Sequence, residues 1–181
     1  MKKNFDIAVY PWGGEYRPKA GGTIETIEGK GIQVTLYCEE TEIRAVNELP
    51  DSPVWEDSCL ECFIRYYPDD ERYINFEVNA NGCMLAQIGK DRNRTFLRNM
   101  GIELPVVEVE KTENRWQIRY LVTYEVVKKA YGRDDDFVPE NLVGNFYKCG
   151  DETKIPHFGA WAPIGVLNPD FHRPEFFQKV F

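Results

Sequence analysis

Apolar and polar residues alternate along the middle of this chain with a period of two rather than 3.6. In 73–80, Ile74, Phe76, Val78 and Ala80 fall on one side, and Tyr73, Asn75, Glu77 and Asn79 on the other. In 115–122, Trp116, Ile118, Tyr120 and Val122 oppose Arg115, Gln117, Arg119 and Leu121. In 58–67, Cys59, Glu61, Phe63, Arg65 and Tyr67 oppose Ser58, Leu60, Cys62, Ile64 and Tyr66. Similar short runs, rich in β-branched and aromatic residues, predict strands over 5–9, 32–38, 42–46, 58–67, 72–80, 83–89, 104–110, 115–123 and 143–149. Asp69-Asp70, Asn81-Gly82 and Thr112-Glu113-Asn114 supply turns between them. Such a succession predicts an all-β chain, an antiparallel β-sandwich of immunoglobulin-like type formed as one domain over 1–181. One segment departs from it: Thr123 caps a predicted short helix, Tyr124 to Tyr131, that Gly132 ends and that plugs an end or edge of the sandwich. The tail from Ile155 to Phe181, rich in Pro and aromatic residues, is expected to dock on the body or line a site.

A length of 181 residues suits one domain of this class, and no repeat or linker divides it. The net charge of −8 argues against a nucleic-acid partner, whose phosphates need a basic face, and against an anionic membrane surface. It leaves a neutral polar ligand or a cation open. No apolar run approaches the roughly 20 residues of a membrane span, and the first residues lack the apolar stretch of a signal peptide. As written the chain reads as cytoplasmic; removal of a leader would make it secreted or periplasmic. Five cysteines leave at least one unpaired. Cys59 and Cys62 form a C-x-x-C, but on a strand they point to opposite faces, so no metal is assigned and reduced thiols are expected.

The sheet face that carries Asn, Glu, Gln and Arg side by side reads either as a solvated surface or as a sugar site. A sugar presents hydroxyls that donate and accept, so its site needs amides, carboxylates and guanidinium groups in fixed orientations. Its C–H faces need flat aromatic platforms. Trp55, Trp161 and Trp12 lie in loop-like settings where a ring packs on the core edge or meets a ligand; Trp116 lies on the apolar side of a strand and is assigned to the core.

The segment Val54-Trp55-Glu56-Asp57-Ser58-Cys59-Leu60-Glu61-Cys62-Phe63-Ile64 resembles the W-x-D-x-x-x-E strand of family 9 carbohydrate-binding modules, within the DOMON-like superfamily. Tyr73 to Asn79 with Gly82, Gly144 to Cys149, and Trp161-Ala162-Pro163 with Asn168 to Phe177 follow in the same order, and the likeness is to the stand-alone bacterial branch. The resemblance implies non-catalytic binding of a carbohydrate clamped between two aromatic rings, often at the reducing end of a glucan or xylan chain. Carried over, it makes Trp55 the first stacking ring, Glu61 a sugar-contacting acid and Trp161 the second ring, with Asn145, Lys148 and Arg92 nearby. Glu77 joins them from the neighbouring strand by the alternation. No cofactor is implied; calcium accompanies some members, but no complete ligand set is matched here.

Three other readings stay open. An accessory domain without sugar affinity would bury Trp55 and Trp161. A glycoside hydrolase would use Glu61 and Glu77 as its paired carboxylates, although an open face lined by Asn, Glu and Arg is expected to favour their ionised form. A haem module would need Met84 or Met100 with His157 or His172; these histidines otherwise read as hydrogen-bonded residues that fix the tail.

Overall fold

The computed structural model describes all 181 residues. In chain order its strands are β1 (Lys2–Ile7), β2 (Val9–Trp12), β3 (Lys19–Ile27), β4 (Gly31–Glu39), β5 (Cys59–Arg65), β6 (Tyr73–Asn79), β7 (Met84–Gly89) and β8 (Thr95–Phe96). They continue with β9 (Glu108–Lys111), β10 (Trp116–Thr123), helix α1 (Tyr124–Tyr131), β11 (Val143–Gly150), β12 (His157–Ala160) and β13 (Gln178–Lys179). All pairings are antiparallel and make two sheets. The smaller runs β1-β3-β4-β10-β9; the larger runs β2-β12-β11-β5-β6-β7-β8, with β13 on β11. The expected antiparallel β-sandwich is the fold.

The alternation in the sequence is the physical cause of the layering. Leu60, Cys62, Ile64, Ile74, Phe76 and Val78 of the larger sheet meet Ile32, Val34, Leu36, Trp116, Ile118 and Val122 of the smaller one in a core of 33 buried residues. At roughly 25 cal/mol per Å² of apolar surface, this core drives the closure of the two sheets. Trp116 is fully buried there, as its strand position implies. Helix α1 begins where expected: Thr123 Oγ1 accepts from Val126 N at 3.2 Å, and Gly132 closes it at φ 67°. Its buried Val127, Ala130 and Tyr131 cover one end of the core.

The larger sheet is not a half-solvated sheet. Its outward face carries a second apolar cluster of Trp12, Phe63, Tyr73, Tyr147, Ala160 and Ile164, over which Phe158, Phe171, Phe176 and Phe177 pack. The aromatic tail therefore docks on the body, and Glu61, Asn75, Glu77 and Asn145 of that face are buried.

Three strand expectations are corrected. The run 5–9 is divided at Ala8 between β1 and β2, which belong to different sheets. Residues 42–46 form no strand: the backbone N–H of Arg44 donates to Ser58 Oγ and that of Val46 to the Asp57 carboxylate instead of to a ladder. Of 104–110 only the end pairs, as β9. The stretch 19–27, not expected to be a strand, is β3, whose glycine pair lets three backbones approach closely: a Cβ on Gly22 would sit 2.3 Å from Thr35 O.

Candidate functional site

The register of β5, β6, β7 and β11 places the side chains of the outward face in rows. Tyr147 lies opposite Glu61, and Glu61 opposite Glu77; in the adjoining row Phe63 faces Asn75, and Asn75 faces Gln87. Above these rows lies a cavity of about 340 Å³. Its floor is Glu61, Glu77, Gln87 and Cys149; its walls are Phe63, Phe96, Phe158, Phe171 and His172; Trp55, Asp151, Arg92, Arg94, Pro169 and Asp170 complete the lining.

Trp55 sits in the single 3-10 turn Val54–Glu56 just before β5 and is 40% exposed. Its backbone oxygen accepts from Asp151 N at 3.2 Å, which ties the turn to the end of β11. The turn is pinned again by Asp57. That buried carboxylate pairs with Arg44 and accepts from Val46 N, both nitrogens of Asn47 and Asn79 Nδ2. An indole held on such a turn, with much of its surface free, is a preorganised platform. On the far wall, Phe171 stacks on Tyr147 with centroids 4.1 Å apart and planes 9° apart, so its ring is held in place.

The polar floor is buried. Glu61 is 2% and Glu77 4% exposed. Cys149 Sγ donates to Glu61 Oε1 at 2.8 Å, and Asn75 Nδ2 donates to Glu77 Oε1 at 2.7 Å. The second oxygen of each accepts no hydrogen bond from the protein. Burial raises Glu61 well above the ordinary carboxylate range, helped by Cys149 and by Glu77 opposite. Burial raises Glu77 to about 7 despite the opposing pull of Asn75 and Arg94. Asp151 is raised to about 6 by burial and by Glu152 and Glu56. The expectation that this face would favour ionised carboxylates is thus overturned, because the tail closes what the strands alone leave open.

Arg94 is the internal strut of the site. Its guanidinium donates to Asn75 Oδ1 at 2.8 Å and to the carbonyls of Tyr73, Gly89, Asp91 and Gln87, and lies 4.0 Å from the centre of the Tyr73 ring. Arg92 reaches across the rim to Asp170 at 2.6 Å. Asp170 Oδ1 also accepts from His172 N, and the His172 ring lies within hydrogen-bond distance of Tyr73 Oη at 2.8 Å. Burial, then Arg94 and Arg92, lower His172 to about 4, so it is neutral near pH 7.

Of the seven candidates, the cavity gathers Trp55, Glu61, Glu77 and Arg92. Asn145, Lys148 and Trp161 lie elsewhere. Asn145 belongs to the same row as Phe63, but its amide is spent on the tail, donating to Ala162 O at 3.0 Å and accepting from Ala162 N at 2.9 Å. Lys148 is fully buried, donates to Cys149 O and lies 3.4 Å from Glu40, which also accepts from Trp116 Nε1. Trp161 packs edge-on against Phe146, near Phe5, with the Lys3 ammonium 4.6 Å from its ring centre. Trp12 is buried too, its indole N–H held by Val166 O at 2.7 Å. Lining residues that the sequence did not assign to the site include Arg94, Asp151, Phe158, Phe171 and His172; the last three lie in the aromatic tail, which was their one signal.

Metal-ligating atoms converge at Cys59, Glu61 and Cys149, within 4.8 Å of one another. Calcium takes six to eight oxygen ligands, and two thiols do not fit it. The haem readings find no geometry: Met84 is in the core and Met100 on the surface, while His172 lines the cavity and His157 lies beside Glu40.

The solved structures with this fold include a protein from Bacteroides uniformis ATCC 8492 provisionally described as carbohydrate-binding. It is 29% identical, with a TM-score of 0.77, over 98% of this chain and 84% of that one. Two more are structures of a carbohydrate-binding module family 9 from Caldicellulosiruptor kristjanssonii, in complex with cellotriose and with glucose. At 7% identity and TM-scores of 0.66, over 97% of this chain and 79% and 81% of those, they share the fold. Among curated proteins none matches. The sequence model of carbohydrate-binding family 9 matches residues 5–181, and the chain belongs to that family.

Proposed function

We propose that this protein binds a carbohydrate in the cavity beneath Trp55 and does not transform it. The observation that carries the reading is the pairing of an exposed, pinned indole with a buried polar floor. Glu61 and Glu77 each keep one oxygen without a protein donor, and Gln87 lies beside them. A sugar ring lying on Trp55 buries its C–H face on the indole and turns its hydroxyls toward those oxygens. Phe171 or Phe158 takes the part of second ring that the family resemblance gave to Trp161. Family membership and the glucose and cellotriose of the Caldicellulosiruptor modules support a sugar of hexose type.

Isothermal titration against mono- and oligosaccharides tests the reading. Heat with one sugar class is expected, and Trp55→Ala should weaken binding roughly tenfold, about 1.4 kcal/mol. A folded protein silent across the panel would instead be an accessory domain.

One observation favours a second reading, glycoside hydrolysis. Glu61 and Glu77 are direct cross-strand partners, so their Cβ atoms lie about 5 Å apart, and burial raises both. Hydrolysis also needs one of the pair to remain ionised as nucleophile or base, and no ion pair holds either in that form. Incubation of the protein with the same oligosaccharides, followed by reducing-end assay, decides between them: no product is expected, and turnover lost in both Glu61→Gln and Glu77→Gln would establish a hydrolase.

A further inference from the structure

We infer that the sugar this cavity is built for carries a protonated amino group. The inference rests on the carbohydrate reading and deepens it. Four carboxyl groups, Glu61, Glu77, Asp151 and Asp170, line the cavity against two arginines, Arg92 and Arg94. No lysine, arginine or histidine forms an ion pair with Glu61, Glu77 or Asp151.

The nearby cations are committed elsewhere. Arg94 spends its guanidinium on Asn75 and four backbone carbonyls. Arg92 is held at the rim by Asp170. Lys148, adjacent in sequence to Cys149 of the floor, points through the sheet to Glu40. His172 is neutral near pH 7.

Directly opposed like charges destabilise an antiparallel pair, and burial adds a desolvation penalty to each. The arrangement is therefore costly in the empty protein and is relieved by whatever brings a positive charge. A neutral sugar supplies hydroxyl donors but no charge. An ammonium supplies three donors and the charge together, and the free oxygens of Glu61 and Glu77 are placed to accept from it. Trp55 at the mouth adds a π face that attracts a cation. Buried carboxyls that are partly protonated at rest ionise when an ammonium arrives, so the raised values of Glu77 and Asp151 reinforce the choice. The same surplus of carboxylates over arginines in the lining disfavours a uronic acid.

The test is a titration at neutral pH with glucosamine, galactosamine and mannosamine, each beside its neutral parent hexose and its N-acetyl derivative, with glucuronic acid as the anionic control. At least one amino sugar should bind roughly tenfold tighter than both its parent and its N-acetyl form, with the uronic acid weakest. Glu77→Gln and Asp151→Asn should each shrink that advantage while preserving affinity for the neutral parent better than for the amine. A neutral hexose that binds as tightly as its amino counterpart, or tighter, overturns the inference and leaves carbohydrate binding standing. Absence of binding by every sugar, in a protein shown to be folded, sinks the carbohydrate reading and this inference with it.

Discussion

Asp57 does not line the cavity, yet it pins the turn that carries Trp55. Its carboxylate is fully buried and collects hydrogen bonds from two backbone nitrogens, two asparagine amides and the Arg44 guanidinium. Burial alone would raise it, but these donors, Asn47 and Asn79 foremost, hold it below the ordinary carboxylate range. Asp57→Ala leaves a guanidinium and several buried N–H groups without a partner, a loss of about 3–5 kcal/mol in urea unfolding. Asp57→Asn, which keeps the shape, should lose less. A cost below about 1 kcal/mol for the alanine variant would mean that water replaces the carboxylate and that the turn stands without it. At this scale the sequence was half legible. Alternation assigns Glu61 and Glu77 to one face because a strand's period is two. The same rule puts Asn145 and Lys148, three residues apart, on opposite faces, so both could not serve one site. What alternation cannot encode is a residue delivered by a loop: Asp151, Phe171 and His172 reach the cavity through connections that have no period.

At the scale of elements, the fold was readable where side chains speak for the backbone and hidden where their absence does. Strands β4, β5, β6, β7, β10 and β11 and the capped helix α1 carry strong local signals, and each forms where expected. Strand β3 was missed because Gly21-Gly22 reads as a turn, whereas in the sheet it is a point of contact between three backbones. Its neighbour Thr35 lies so near that Gly22→Ala should cost about 1–3 kcal/mol by overpacking, or more if β4 cannot shift. Gly14→Ala, whose added methyl meets nothing within 4 Å, is the control and should change stability by no more than about 0.5 kcal/mol. Thermal unfolding of the two variants checks the contrast, and equal melting temperatures would show that β3 yields easily. The misplaced strand at 42–46 has the converse cause: its residues suit a ladder, but the Val46 N–H is claimed by the Asp57 carboxylate and the Arg44 N–H by Ser58 Oγ.

The whole molecule couples its binding face to pH because the aromatic tail turns that face into an interior. Glu77 rises from an ordinary 4.5 to about 7 and Asp151 from 3.8 to about 6, so their protonated forms belong to the fold. Their contribution to stability is complete below the unfolded values and is lost as pH climbs through the folded ones. His157 and His172, lowered from 6.5 to about 4 by burial and by neighbouring Lys148 and Arg94, act in the opposite sense: their contribution is complete above about 6.5 and is lost as pH falls toward 4. Between about pH 4.5 and 6.5 the two sets therefore act against each other, and their opposed contributions should largely cancel there. Glu77→Gln separates the two sets. Glutamine still accepts from Asn75 through its side-chain oxygen but has no charge to desolvate, so the variant should melt higher than the parent at pH 8 and like it near pH 4.5. A variant that melts at or below the parent at pH 8 would mean that the ionised carboxylate is welcome in the empty cavity. The floor would then lack the unmet charge on which a preference for an amino sugar depends, so a melting curve taken without any ligand bears on what the ligand is.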